Sequence, residues 1–195
     1  LDINTCNTTP DIFTIYKTLE YFAKINIEIA IIEVSSHALN QNRIAGLSFE
    51  QAIFTNLTQD HLDYHKDMNQ YRAAKGKLFS DFNAQTIIVN RDDESHSYFI
   101  EIASTKKVST YGLDDFTSIT SSTNGFICKL SNYVFELPLI GKFNLSNTLA
   151  AFASLKSLGF SDKSIIPNLT KLKPPTGRME KLRNNDIWID YAHTP

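Results

Sequence analysis

The chain has 195 residues, 42% of them hydrophobic and 21% charged, with a formal net charge of −2. That size and balance suit one globular domain with a real core and room for the edge of a second, and indicate neither disorder nor a membrane protein, since no apolar run approaches the ~20 residues of a span. The near-neutral charge shows no basic stripe, which argues against nucleic-acid binding. Two cysteines, Cys6 and Cys128, lie far apart without metal-type spacing, so a reducing, cytoplasmic setting is expected rather than a disulfide framework. The sequence starts without Met or a signal peptide and stops just after a polar cluster, and it reads as a fragment of a longer protein.

Thr9-Pro10-Asp11 has the make-up of a helix start, with Thr9 as the capping hydroxyl. Ile12, Ile15, Tyr16, Leu19, Phe22 and Ala23 follow at helical spacing and predict a core-facing stripe. Residues 27–34 and 51–56 read as buried strands, 68–79 as a helix, 86–90 as a third strand, 95–103 as a helix and 107–111 as a fourth strand. This alternation predicts an α/β fold with a mostly parallel sheet flanked by helices. Residues 116–122, 125–130 and 133–137 then read as a small antiparallel β subsheet with turns at Asn124-Gly125 and Ser131-Asn132. Helices are expected near 144–158 and 162–171. Lys173-Pro174-Pro175-Thr176-Gly177 marks a boundary, with residues 1–177 as the main domain and 178–195 as a junction leading into a strand that starts at Ile187.

The first two strands each break into polar residues at their carboxyl ends, where ligands bind in open α/β sheets. Glu33, Ser35, Ser36 and His37 follow the first, and Asn56, Asp60, His61, Asp63 and His65 follow the second. Glu33, at the end of an apolar strand, is expected to be partly desolvated unless a cation pairs with it. His61 and His65, four apart, would share a helix face as two zinc ligands do, but no HExxH glutamate accompanies them, and the oxygen-rich surroundings suit Mg²⁺ better. Lys75 falls inside the apolar stripe Met68, Tyr71, Leu78, Phe79, so it needs a partner, a snorkelling route or chemical modification. Thr8 and Thr9 precede a helix N-terminus, which makes an anion site or a plain cap. Gln41 and Arg43 lie in the polar loop beyond Ser36, and Arg suits a carboxylate or phosphate.

Eight segments in order carry a resemblance: Asn7-Thr8-Thr9-Pro10-Asp11, Glu33-Val34-Ser35-Ser36-His37-Ala38-Leu39, Phe54-Thr55-Asn56-Leu57, Asp60-His61-Leu62-Asp63-Tyr64-His65, Ala73-Ala74-Lys75, Gly141-Lys142-Phe143-Asn144, Gly177-Arg178-Met179-Glu180 and Asp190-Tyr191-Ala192-His193-Thr194-Pro195. Together they resemble the Mur ligases, ATP-dependent enzymes of peptidoglycan synthesis, and most closely the MurE branch, which adds the third amino acid. The resemblance implies a P-loop-type central ATPase domain acting on UDP-N-acetylmuramoyl-L-alanyl-D-glutamate, ATP and diaminopimelate or lysine, in a monomeric, cytoplasmic bacterial enzyme that binds neither nucleic acid nor membrane. It implies that Glu33 and His61 hold Mg²⁺ and that Lys75 is carbamylated and helps organise the metal. Thr8, Thr9, Ser35, Gln41 and Arg43 would bind the dipeptide substrate, and Asn144, Arg178, Asp190 and His193 would contact ATP.

The chain departs from the family pattern in containing no G-x-x-x-x-G-K-[ST] loop. The resemblance places that loop before Leu1 and the amino-acid selectivity motif after Pro195, so the fragment alone is expected not to ligate and to bind ATP poorly. Another Mur ligase or a folylpolyglutamate synthase shares the core. A metal-dependent hydrolase built on the His/Asp cluster and a non-catalytic nucleotide-binding module are readings of a different class.

Overall fold

The computed structural model of the chain describes residues 7–60, 62–181 and 187–191. A parallel sheet of order β1-β2-β3 forms the centre, from Ser48–Phe54 (β1), Asn83–Asn90 (β2) and Lys107–Tyr111 (β3). Ile53 of β1 pairs with Ile88 of β2, and Val89 of β2 pairs with Thr110 of β3. Parallel neighbours need crossovers, and these contain the helices Leu62–His65 (α3) and Met68–Ser80 (α4) between β1 and β2, and His96–Ile102 (α5) between β2 and β3. Before β1 come helices Ile12–Lys24 (α1) and Ser36–Asn40 (α2).

The central strand is covered on both faces, which is why it reads as an unbroken apolar run. Ile87 and Val89 pack with Phe54, Phe79 and Phe99 on one side. Ile88, on the other side, joins Tyr111, Leu145 and Leu149, the last two from helix Lys142–Ser157 (α6). The same core takes in the antiparallel sheet of Phe116–Ser122 (β4), Gly125–Leu130 (β5) and Tyr133–Leu137 (β6), together with helix Asp162–Leu169 (α7). A two-stranded ladder of Glu180–Lys181 (β7) and Trp188–Ile189 (β8) follows. The expected class is therefore present: a parallel sheet flanked by helices, with a small antiparallel subsheet.

Three local expectations are corrected. Residues 27–34 belong to none of the sheets, and Ile27, Ile29 and Ile31 are 46%, 61% and 94% exposed. A strand needs a neighbour for its backbone, and among the described residues no strand pairs with this one; only Ile32 and Val34 reach a core, beside Ile15, Leu39 and Ile44. Helix α1 is capped by Asp11, whose carboxylate accepts from the N–H groups of Phe13 and Thr14 at 3.0 and 3.1 Å, rather than by Thr9. Of its apolar stripe, Ile15 is the fully buried member, while Tyr16 and Ala23 face solvent. Helices α2 and α3 lie in stretches that carry no helical periodicity because they are single turns set by caps and corners: Ser35 accepts from Ala38 N–H at 3.2 Å to start α2.

Candidate active site at the carboxyl edge of the sheet

Because β1, β2 and β3 run parallel, their carboxyl ends share one edge, and short polar contacts stitch the loops there. The Asn90 side-chain amide donates to Thr55 O at 2.7 Å, joining the loops after β1 and β2. Asp93 accepts from Leu57 N–H at 2.7 Å through one carboxylate oxygen and from Ser95 N–H at 2.8 Å through the other. An open cleft of about 460 Å³ lies against this loop, lined by Thr58, Asn69, Arg72, Asp93 and Glu94 among others.

Lys75 sits at this edge on α4, half-buried, with its Nζ 5.2 Å from the centre of the Tyr71 ring one turn earlier. Burial pushes its pKa below the ordinary 10.5, and the carboxylates of Asp60, Glu33 and Asp93 pull it partly back. Acids from three separate loops thus act electrostatically on one desolvated amine. Glu33 itself is exposed, contrary to the desolvated carboxylate expected of it, because residues 27–34 are not covered. Asp93 was legible by the same rule that singled out Glu33, an acid just after a buried strand.

Four of the five residues expected to bind the dipeptide come together. Thr9, fully buried, donates its hydroxyl to Glu33 O at 2.8 Å and accepts from Ser35 N–H at 3.0 Å. Arg43 donates to Thr9 O at 2.8 Å and to the Gln41 side-chain oxygen at 2.8 Å. Thr8 stands exposed beside them. The loop before α1, the end of the 27–34 segment and the loop after α2 form one hydrogen-bonded unit, with Glu33 and Ser35 on its rim.

His65 is 2% exposed, and its Nε2 lies 2.8 Å from the equally buried Ser36 Oγ. That contact and its buried position suit a structural imidazole better than a zinc ligand. Its presumed partner His61 lies outside the described residues, as does His193. Asn144, buried at the start of α6, donates to Ile140 O at 2.8 Å and accepts from the Asn147 amide. Ser146, two residues on, meets the Asn90 amide at 3.4 Å, which brings the first turn of α6 to the carboxyl edge. Arg178 and Asp190 flank the β7–β8 ladder: the Arg178 guanidinium lies 5.9 Å from the Tyr191 ring centre, and Asp190 accepts from Met179 N–H at 2.8 Å.

The donors present fit a hard divalent cation, since Glu33, Asp60 and Asp93 offer carboxylate oxygen. Among the described residues no three His, Cys, Asp or Glu side chains form a ready-made metal cluster. Lys75 as an ammonium cannot ligate a cation; as a carbamate it can.

Comparison with known proteins accounts for this layout. The Mur ligase middle domain matches residues 1–155. A UDP-N-acetylmuramoyl-L-alanyl-D-glutamate–2,6-diaminopimelate ligase of Wigglesworthia glossinidia brevipalpis is 38% identical over 97% of this chain and 42% of its own length. A UDP-N-acetylmuramoyl-L-alanyl-D-glutamate–L-lysine ligase of Staphylococcus aureus is 37% identical over 96% of this chain and 41% of its own. A solved structure of a diaminopimelate ligase of this kind superposes with a TM-score of 0.79 at 31% identity, over 90% of this chain and 39% of that one. The chain therefore spans about two-fifths of the length of these relatives, and it belongs to the Mur ligase family, whose middle domain it contains.

Proposed function

We propose that this chain is the central catalytic portion of an ATP-dependent ligase that joins a third amino acid, diaminopimelate or lysine, to UDP-N-acetylmuramoyl-L-alanyl-D-glutamate in peptidoglycan synthesis. The observation that carries the reading is Lys75, a desolvated amine under the electrostatic influence of Asp60, Glu33 and Asp93 at the carboxyl edge of a parallel sheet. The near-equal likeness to a diaminopimelate ligase and a lysine ligase supports the shared reaction and leaves both amino acids as substrates to be tested. Residues 1–177 form the ATPase unit in this reading, and 178–195 lead into the next domain.

In the proposed reaction the terminal carboxylate of the dipeptide attacks the γ-phosphorus of ATP. A carboxylate O–P bond forms, the β–γ bridging bond breaks, and ADP leaves. The amino group of the incoming residue then attacks the acyl carbon, loses a proton and displaces phosphate. Attacker and nucleotide are both anionic, so charge neutralisation and positioning dominate the barrier. Glu33, His61 and a carbamylated Lys75 would hold Mg²⁺, which supplies that neutralisation when bound. Depression of the Lys75 pKa raises the fraction of free amine able to attack CO₂. The N–C bond forms, the amine proton is released, and the side chain changes from a cation to an anion among carboxylates that only a metal could then reconcile.

Thr8, Thr9, Ser35, Gln41 and Arg43 would bind the nucleotide dipeptide. Support comes from the hydrogen-bonded unit of the last four, which presents Ser35 beside Glu33. Asn144, Arg178, Asp190 and His193 would contact ATP, a role supported for Asn144 by its place on the first turn of α6 at the carboxyl edge. A monomeric, cytoplasmic bacterial enzyme is the setting this reading implies, and among the described residues no helix is long and apolar enough to cross a membrane.

The test is ADP release by the full-length protein with ATP, Mg²⁺, the UDP-linked dipeptide and each amino acid in turn. Release that requires both the dipeptide and one amino acid is expected. Release that ignores the dipeptide, or hydrolysis without ATP in the presence of zinc, overturns the ligase.

A further inference from the structure

His65 has no part in the reaction just proposed, yet it is among the most buried polar side chains of the chain. Besides the neighbouring rings of Tyr64 and His37, with centres 4.8 and 5.6 Å away, two contacts orient its ring toward the candidate site. Nε2 meets Ser36 Oγ at 2.8 Å, which sets the rotation of the ring in its own plane. The ring also stacks on Tyr71, with centres 5.1 Å apart and planes 24° apart, which sets the plane itself. The backbone at this point turns the corner into α4: His65 O accepts from Asp67 N–H at 2.8 Å, Lys66 takes a positive φ of 64°, and Asp67 caps α4 by accepting from Gln70 N–H at 2.8 Å.

Each contact leads to one half of the candidate site. Ser36 follows Ser35 and stands three residues after Glu33, in the segment held by Thr9. Tyr71 carries Lys75 over its ring at 5.2 Å. The segment that follows Glu33 and the helix that holds Lys75 therefore both touch this imidazole, beside the direct bond from Lys77 Nζ to Asn40 Oδ1 at 2.8 Å that also joins α4 to α2. Phe could stack there without the hydrogen bond, and Gln could make the bond without the stack; His does both.

We propose that His65 is a positioning residue of the ligase centre, bridging Ser36 and Tyr71 so that the Glu33 carboxylate and the Lys75 amine keep one fixed separation. The role rests on the ligase reading for its catalytic consequence and on the bridge itself for its geometry. Residues that orient groups at a metal site are worth about ten- to a hundredfold in activity or affinity.

The experiment compares His65→Phe, His65→Gln, Ser36→Ala and the double variant Ser36→Ala/His65→Phe in the full-length protein. His65→Phe and Ser36→Ala are each expected to lower kcat about tenfold with KM for ATP and dipeptide unchanged. The double variant should fall no further than either single one, because both remove the same bond. His65→Gln should recover part of the His65→Phe loss, and the carbamate signal of Lys75 in [¹³C]bicarbonate should fall with His65→Phe. Additive losses, an unchanged kcat, or a loss equal in His65→Gln and explained by a smaller folded fraction would overturn the inference. If the unaltered protein releases no ADP, the ligase reading fails by itself. The bridge is then read from acylation of Lys75, which should be faster in His65→Phe; an equal rate overturns it.

Discussion

Thr9 reaches across 24 residues to hold Glu33: its hydroxyl donates to the Glu33 carbonyl at 2.8 Å while accepting from Ser35 N–H at 3.0 Å. The carboxylate of Glu33 is exposed, so its position is set through its backbone, and a buried hydroxyl sets the backbone. Thr9→Val replaces that hydroxyl with a methyl of the same size and leaves a part-buried donor and acceptor without this partner. A loss of about 1–3 kcal/mol is expected in urea unfolding, with Thr9→Ser close to the parent. Equal stability of the Val and Ser variants would show that the bond does not hold the loop.

Lys75 makes a signed prediction about pH. Burial lowers its pKa below the ordinary 10.5. The unfolded chain therefore binds this proton more tightly than the folded one, and stability attributable to Lys75 rises with pH between the depressed folded value and 10.5. Below that window the buried charge is a full penalty. Lys75→Met removes it, so in CO₂-free buffer the variant should gain most over the parent at low pH, and the gain should shrink as pH approaches 10.5. A difference that stays flat from neutrality to about pH 10 would mean that the amine is not desolvated.

Gly177 stands at a positive φ of 72°, where an added Cβ would lie 2.3 Å from Cε2 of Tyr191. Gly177 O also accepts from Tyr191 N–H at 2.9 Å. Gly177→Ala should cost about 1–2 kcal/mol from the left-handed backbone alone, with the ring overlap on top. Hydrogen exchange at Tyr191 N–H should quicken. Adding Tyr191→Ala should return the overlap but not the backbone cost. Full recovery in the double variant would show that the backbone conformation is unimportant there.

Cys128 lies fully buried in the middle of β5, and burial pushes its thiol up to about 11. At neutral pH it is protonated, and the thiolate is the reactive form. In a Cys6→Ser background, disulfide reagents should label it only as fast as the protein unfolds. Rapid labelling in native buffer would contradict the packing of the small sheet.

The sequence by itself determined the architecture of most of the chain. The run at residues 86–90 declared a strand covered on both faces, and Ile88 facing one core with Ile87 and Val89 facing another is the reason it had to. The three short strands of the antiparallel sheet were legible from their turns, and Lys75 stood out because it interrupts an apolar stripe. Periodicity failed where an element depends on a neighbour. Residues 27–34 have the composition of a buried strand, but composition supplies no partner for a backbone, and Ile31 lies 94% exposed. It failed also for α2 and α3, too short to show a period. Only the tertiary structure decided which polar groups meet. It separated His65 from the role of metal ligand and gave it Ser36 and Tyr71. It took Thr9 from the helix cap and gave it Glu33. It put Lys75 within the electrostatic influence of Asp60, Glu33 and Asp93. Each is a contact between residues far apart in the chain, set by how parallel strands align their carboxyl ends, a relation that no local pattern encodes.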